Sequence, residues 1–134
     1  MAGAAPASVA YSDEKVLAFM DVLPVNAGHV LVIPKAHAAR LSELDEETGA
    51  QIFRVAVRVS KGLARSSVRC EGVMLHLADG EAAFQEVPHV HLHVVPRFKG
   101  DGFGLKFGPN YGKRPNRKEL DAVAGSIREA MRLG

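Results

Sequence analysis

One run of residues, Pro88-His89-Val90-His91-Leu92-His93-Val94-Val95-Pro96-Arg97, restricts this chain more than any other. Histidine alternates there with large apolar residues, and a period of two is the side-chain repeat of a β-strand. The run is therefore predicted to be a strand with His89, His91 and His93 on one face and Val90, Leu92 and Val94 on the other. The apolar face suits a core. The other face becomes a row of imidazoles spaced by about 6–7 Å. Pro96 fits where pairing ends, because proline cannot donate to a ladder. Such a row can bind metal through neutral imidazole, attack an electrophile through its central ring, or hold an anion through protonated rings. A solvated face that merely contains histidine is the bland alternative, and the β-branched neighbours weigh against it.

A chain of 134 residues fits one domain, taken here as 1–134 with residues 1–10 as a flexible N-terminus. Apolar residues make up 47%, enough for a packed core. The formal charge of +2 is compatible with a small anionic ligand and too weak to argue for nucleic acid. Cys70 is the sole cysteine, so no internal disulfide can form and a reducing, cytoplasmic setting is expected. The small residues at the start do not make a persuasive signal peptide. No run is apolar enough to span a bilayer, so no membrane partner is expected.

Taken in order, Ser12-Asp13-Glu14 reads as a turn and Val16–Met20 as a buried strand. His29–Ile33 reads as a second strand, close enough to pair antiparallel with the first. A helix follows over Thr48–Ser66, with Ser42 or Asp45 as cap and Glu46 and Glu47 at the positive end of its dipole. Its apolar stripe is Ile52, Phe53, Ala56, Val59, Leu63 and Ala64, with Val55 and Val57 outside it. Gly72–Leu77 is a third strand, and Asp79-Gly80 marks a turn toward the histidine run. A second helix is predicted over Lys118–Arg132, with Leu120, Val123, Ile127 and Met131 on one stripe. The class is α+β, an antiparallel sheet with two helices.

His89-Val90-His91-Leu92-His93-Val94-Val95 resembles the signature of the histidine triad family. Phe19-Met20-Asp21, Gly28–Pro34 and the approach from Asp79-Gly80 to Gln85 resemble the family in the same order. The likeness runs from about Tyr11 to Phe98. It implies a hydrolase or transferase that cleaves at the α-phosphate of purine nucleotides, either phosphoramidates or dinucleoside polyphosphates. His91 would attack phosphorus and carry the nucleotidyl group, with its second nitrogen held by a backbone carbonyl. His93 and His29 would face the phosphate oxygens, and His89 would shape the site. Asp21 would accept from the ribose hydroxyls, Phe19 and Val22 would border the base, and Gln85 would donate to phosphate or the bridging atom. No metal site and no required cofactor are implied; a divalent cation would enter with a polyphosphate substrate. A homodimer is implied by the resemblance alone.

This chain departs from the family pattern at Ala78, where many members have asparagine, and at Phe84, where many have glycine. Glu86 replaces the serine or threonine of some members. The N-terminal cysteine pair that, in some members, binds zinc with histidines matching His37 and His89 is missing. Read by themselves, His29, Asp21 and Gln85 would be a strand opener, a strand-end residue and a solvated loop residue. His37 and His76 are taken as non-catalytic, with His76 a surface or partly buried strand residue. The basic run Lys113–Lys118 reads as a solvated loop and helix start. Two rival readings are a metal-binding protein using the signature histidines and a nucleotide-binding interaction module.

Overall fold

The computed structural model describes residues 7–133, and the expected flexibility of residues 1–6 lies outside them. The chain falls into two units, Met1–Phe103 and Gly104–Gly134. The first holds five strands, β1 Val9–Ser12, β2 Val16–Met20, β3 Val30–Pro34, β4 Gly72–His76 and β5 Leu92–Arg97, and one long helix, α1 Glu46–Arg65. The strands form one sheet in the order β1-β2-β3-β5-β4, each neighbour antiparallel.

Strand β1 was not expected, so Val9 and Ala10 are paired backbone rather than loose terminus. The turn after it is the predicted one. Both Lys15 and Val16 N–H donate to Asp13 Oδ1 at 2.8 Å, which folds β2 back against β1.

Asp45, not Ser42, caps α1, its carboxylate accepting from Thr48 N–H. The helix buries Ile52, Val55, Ala56 and Leu63. This corrects the predicted stripe, since Val55 is fully buried while Phe53 is 59% exposed. Helical spacing allowed either, and the sheet beneath selects the narrower face. Alternate residues of β2, β3 and β5 (Val16, Ala18, Val30, Val32 and Val94) meet that face and complete the core. Each fully buried valine contributes about 1.5–3 kcal/mol of transfer free energy.

The histidine run needs the main correction. Only His93 lies in β5, whereas His91 just precedes the strand and His89 sits in a bend. The last pairs along the ladders are Val32 with Leu92 and His76 with His93. Before Leu92 the chain leaves the ladders, and Val90 N–H donates instead to the Ala38 carbonyl at 2.7 Å. The apolar half of the alternation persists, with Val90 and Val94 buried.

The second unit carries α2, Arg117–Met131. Asn116 and Glu119 close its N-terminus reciprocally, each side chain accepting from the other's backbone N–H. Phe107 stacks on Tyr111 ahead of it at 4.1 Å between centroids. No described helix is long and apolar enough to cross a membrane.

Candidate active site

The sheet face opposite α1 carries a cavity of about 700 Å³. Phe19, Leu31, Ile33, His76 and His93 supply strand positions around it, and Asp21, His89 and His91 supply loop positions. Ala78, Ala83, Phe84, Glu86 and Val87, from the connection between β4 and β5, complete one side with Leu23 on the rim.

Gly28 sets up His29. Its φ of +99° is open to glycine without strain, and a Cβ there would meet Val68 Cγ1 at 2.7 Å. His29 follows with 2% exposure. Its Nδ1 accepts from Val25 N–H at 3.0 Å, so in the neutral ring Nε2 bears the proton. That Nε2–H donates to His93 Nδ1 at 2.9 Å. His93 must then carry its own proton on Nε2, where it is a donor. Two rings and one backbone amide thus fix the tautomer of His93.

Burial first, and then the neighbouring charges of His76, His91 and His29, push the His93 imidazolium down to about 4. Burial likewise pushes His29 and His76 down, with Asp21 opposing the shift at His29. His93 and its two neighbours are therefore neutral at pH 7.

His91 is fixed by its own segment. Its Nδ1–H donates to the His89 carbonyl at 2.8 Å, which in the neutral ring places the lone pair on Nε2, and the ring lines the cavity. The rings of His91 and His93 meet edge to face at 5.0 Å. His89 is held from the other side, its Nε2–H donating to the Pro34 carbonyl at 2.8 Å. The arrangement offers an unprotonated ring nitrogen beside a neutral N–H donor, the pair that nucleophilic attack on a phosphorus centre requires.

Asp21 bridges strand and site. Its Oδ1 accepts from Leu23 N–H at 2.9 Å, and its Oδ2 lies 3.6 Å from His29 Nε2. Asp21, His29 and His93 each bring one ligand atom within 4.8 Å of the others, the one such cluster among the described residues. A metal there would have to displace the proton shared by His29 and His93.

Of the eight site residues named from sequence, Phe19, Asp21, His89, His91 and His93 line the cavity, with His29 directly behind His93. Two do not reach it. Val22 is 85% exposed and does not line the cavity, and its neighbour Leu23 takes the rim position. Gln85 is consumed as a brace: Oε1 accepts from Gly80 N–H at 2.8 Å, and Nε2 donates to the Ala39 carbonyl at 2.6 Å. Sequence reading missed His76, Leu31 and Ile33. The latter two were legible as alternate residues of β3, but His76 needed the β4–β5 register.

The geometry agrees with what the chain resembles. A family model described as HIT domain matches residues 2–100. An uncharacterized HIT-like protein of Borreliella burgdorferi is 43% identical over 77% of this chain and 75% of its own length. A Schizosaccharomyces pombe protein named adenosine 5'-monophosphoramidase hnt1 is 37% identical over 83% of this chain and 78% of its own. The crystal structure of a HIT family member from Bacillus subtilis superposes with a TM-score of 0.84 at 35% identity, covering 96% of this chain and 90% of that one. With His89, His91 and His93 gathered at one cavity and the match spanning nearly the whole first unit, the chain belongs to the histidine triad family.

Proposed function

We propose that this protein is a nucleotide hydrolase that transfers a nucleotidyl group to His91 and then to water. The observation that carries the reading is the Nδ1–H bond from His91 to the His89 carbonyl, which leaves Nε2 with a free lone pair. In this reading Nε2 bonds to the α-phosphorus while the bond to the leaving group breaks. The electron pair departs with that group, which takes up a proton. Water then attacks phosphorus, loses a proton and displaces His91, which returns as a neutral imidazole. His93 Nε2–H faces the charge that develops on the phosphoryl oxygens. Asp21 accepts from the ribose and Phe19 borders a purine base.

Charge favours a phosphoramidate over a dinucleoside polyphosphate. Among the described residues no lysine or arginine lines the cavity, whereas the carboxylates of Asp21 and Glu86 do. A phosphoramidate brings one negative charge to be desolvated, and a polyphosphate brings several with no cationic side chain to meet them. The name of the fission-yeast relative points the same way. Histidine does the covalent chemistry here without a resident metal, and a divalent cation would enter only as the companion of a polyphosphate.

The test is intact-protein mass spectrometry after rapid quenching with an adenosine phosphoramidate, on wild type and His91→Ala. A nucleotidyl adduct on the wild type alone, undiminished by prior dialysis against EDTA, is expected. No adduct and no turnover with any nucleotide would overturn the reading. Faster turnover of a diadenosine polyphosphate than of the phosphoramidate would overturn the substrate choice.

A homodimer is proposed as well. What supports it is the free edge of the sheet at β4, where Val73 and Leu75 are each 37% exposed. Sedimentation equilibrium giving the mass of one chain would exclude it.

A further inference from the structure

The signature supplies three histidines to the cavity, and the structure supplies a fourth. His76 is the last residue of β4 and stands directly opposite His93 in the register of β4 with β5. Residues so paired bring their side chains together on one face of the sheet. Here the two imidazoles stack, with centroids 4.2 Å apart and planes within 9°. His76 Nε2 is buried and has no hydrogen-bond partner among the described residues. A buried polar atom left unmatched costs about 1–3 kcal/mol relative to an apolar replacement of the same shape. The ring therefore stands where its nitrogen does nothing for stability, and its flat face is what the neighbouring histidine uses.

We infer that His76 is a positioning residue: its ring is the plate that holds the His93 imidazole at the rotation where Nδ1 receives His29 Nε2–H and Nε2–H is presented to the cavity. The bond from His29 holds the Nδ1 edge of the His93 ring, but the ring can still swing about its Cβ–Cγ bond at the expense of that single contact. The edge of His91 limits that swing on one side. The parallel face of His76 removes the remaining freedom. A histidine suits this task because its ring is as small and flat as the ring it supports. For its kinetic readout the inference rests on the hydrolase reading above; its spectroscopic readout does not.

Two substitutions separate a plate from a merely structural residue. His76→Phe keeps an aromatic face and deletes the unmatched nitrogen. His76→Leu deletes both. Each variant is expected to melt at or above the wild-type temperature, because the orphaned atom is gone. Their activities are expected to diverge. His76→Leu should lose about tenfold in kcat with KM little changed, while His76→Phe should stay within about threefold of wild type. Long-range proton–nitrogen spectra of the His93 ring should show one tautomer, protonated at Nε2, in wild type and His76→Phe. In His76→Leu the unsupported ring should leave the His29 bond part of the time and so show averaged nitrogen shifts. The inference is overturned if His76→Leu keeps both the wild-type kcat and the single tautomer, or if activity in both variants simply follows melting temperature. If wild type turns over no nucleotide, the hydrolase reading falls and the spectra alone decide the role of His76.

Discussion

His29 Nε2 lies 2.9 Å from His93 Nδ1, and this contact decides which nitrogen of His93 is a donor. Removing His29 releases that choice. His29→Ala is expected to lower kcat on an adenosine phosphoramidate by about 10–100-fold, the usual cost of losing a partner that orients a working histidine. KM should move much less, since His29 sits behind His93 and is itself buried. Steady-state kinetics, with circular dichroism to confirm folding, checks it. An unchanged kcat would mean that the His93 tautomer does not matter.

Acid should destabilise this protein earlier than its carboxylates require. His29, His76 and His93 all have protonation disfavoured in the fold, chiefly by burial. In the unfolded chain each titrates near the ordinary value of 6.5. Between that value and the value of about 4 for folded His93, the unfolded state binds protons that the folded state refuses. Stability is therefore complete above the unfolded value and is lost as pH falls through this window. The carboxyls of Asp13 and Asp101 are held well below the usual range by hydrogen bonds, with Gln51 first for Asp13 and Arg97 first for Asp101. Their contribution is lost only at lower pH. Urea midpoints are expected to fall from about pH 7 to about pH 4.5, with a shallower slope in His76→Phe. A flat profile over that range would contradict the burial argument.

Gly28→Ala should damage both fold and site. The new methyl would lie 2.7 Å from Val68 Cγ1, on a backbone with φ of +99°. Overpacking of this kind costs about 1–3 kcal/mol, and the left-handed backbone adds to it. Chemical denaturation measures the loss. Adding Val68→Ala should recover the clash component but not the backbone component, so the double variant is expected to fall between Gly28→Ala and wild type.

Phe84→Gly is expected to stabilise. Phe84 holds φ at 67°, the only non-glycine residue with positive φ among the described residues, and is 85% exposed. Relief of that conformation is worth about 1 kcal/mol, reduced by the greater freedom of glycine when unfolded. Little buried surface is given up in exchange. A melting temperature below wild type would show that the ring makes contacts worth more than its backbone strain.

The fold class was legible because its signals are local. Asp13 marks the first turn, Asp45 the helix start, and the alternation of Val30 with Val32 the core face of β3. What escaped depended on partners distant in sequence. Strand β1 is short and mostly exposed, so it has no periodicity to read. Phe53 and Val55 compete for one helix face, and only the sheet below chooses between them. The histidine run reads as one strand because alternation survives where pairing does not. Val90 stays buried through a bond to Ala38 rather than through a ladder. At the site, the signature located His89, His91 and His93. The intramolecular partners of Gln85 were not legible either: its amide bonds to Gly80 and Ala39. His76 was passed over because nothing in its own segment distinguishes it. Its significance comes from standing opposite His93.

The place where β5 begins divides the working residues by stiffness. His93 belongs to backbone stitched on both sides, to β3 and to β4, while His91 lies one residue outside the first pair. Amide exchange at His93 then requires cooperative opening of the sheet, whereas His91 is held by single bonds within its own segment and from Val90 to Ala38 rather than by a ladder. The proposed donor is anchored and the proposed nucleophile is tethered. In the proposed double displacement the phosphorus centre would swing toward His91 and back again, and a tether would let that histidine follow it while the anchored His93 keeps its aim.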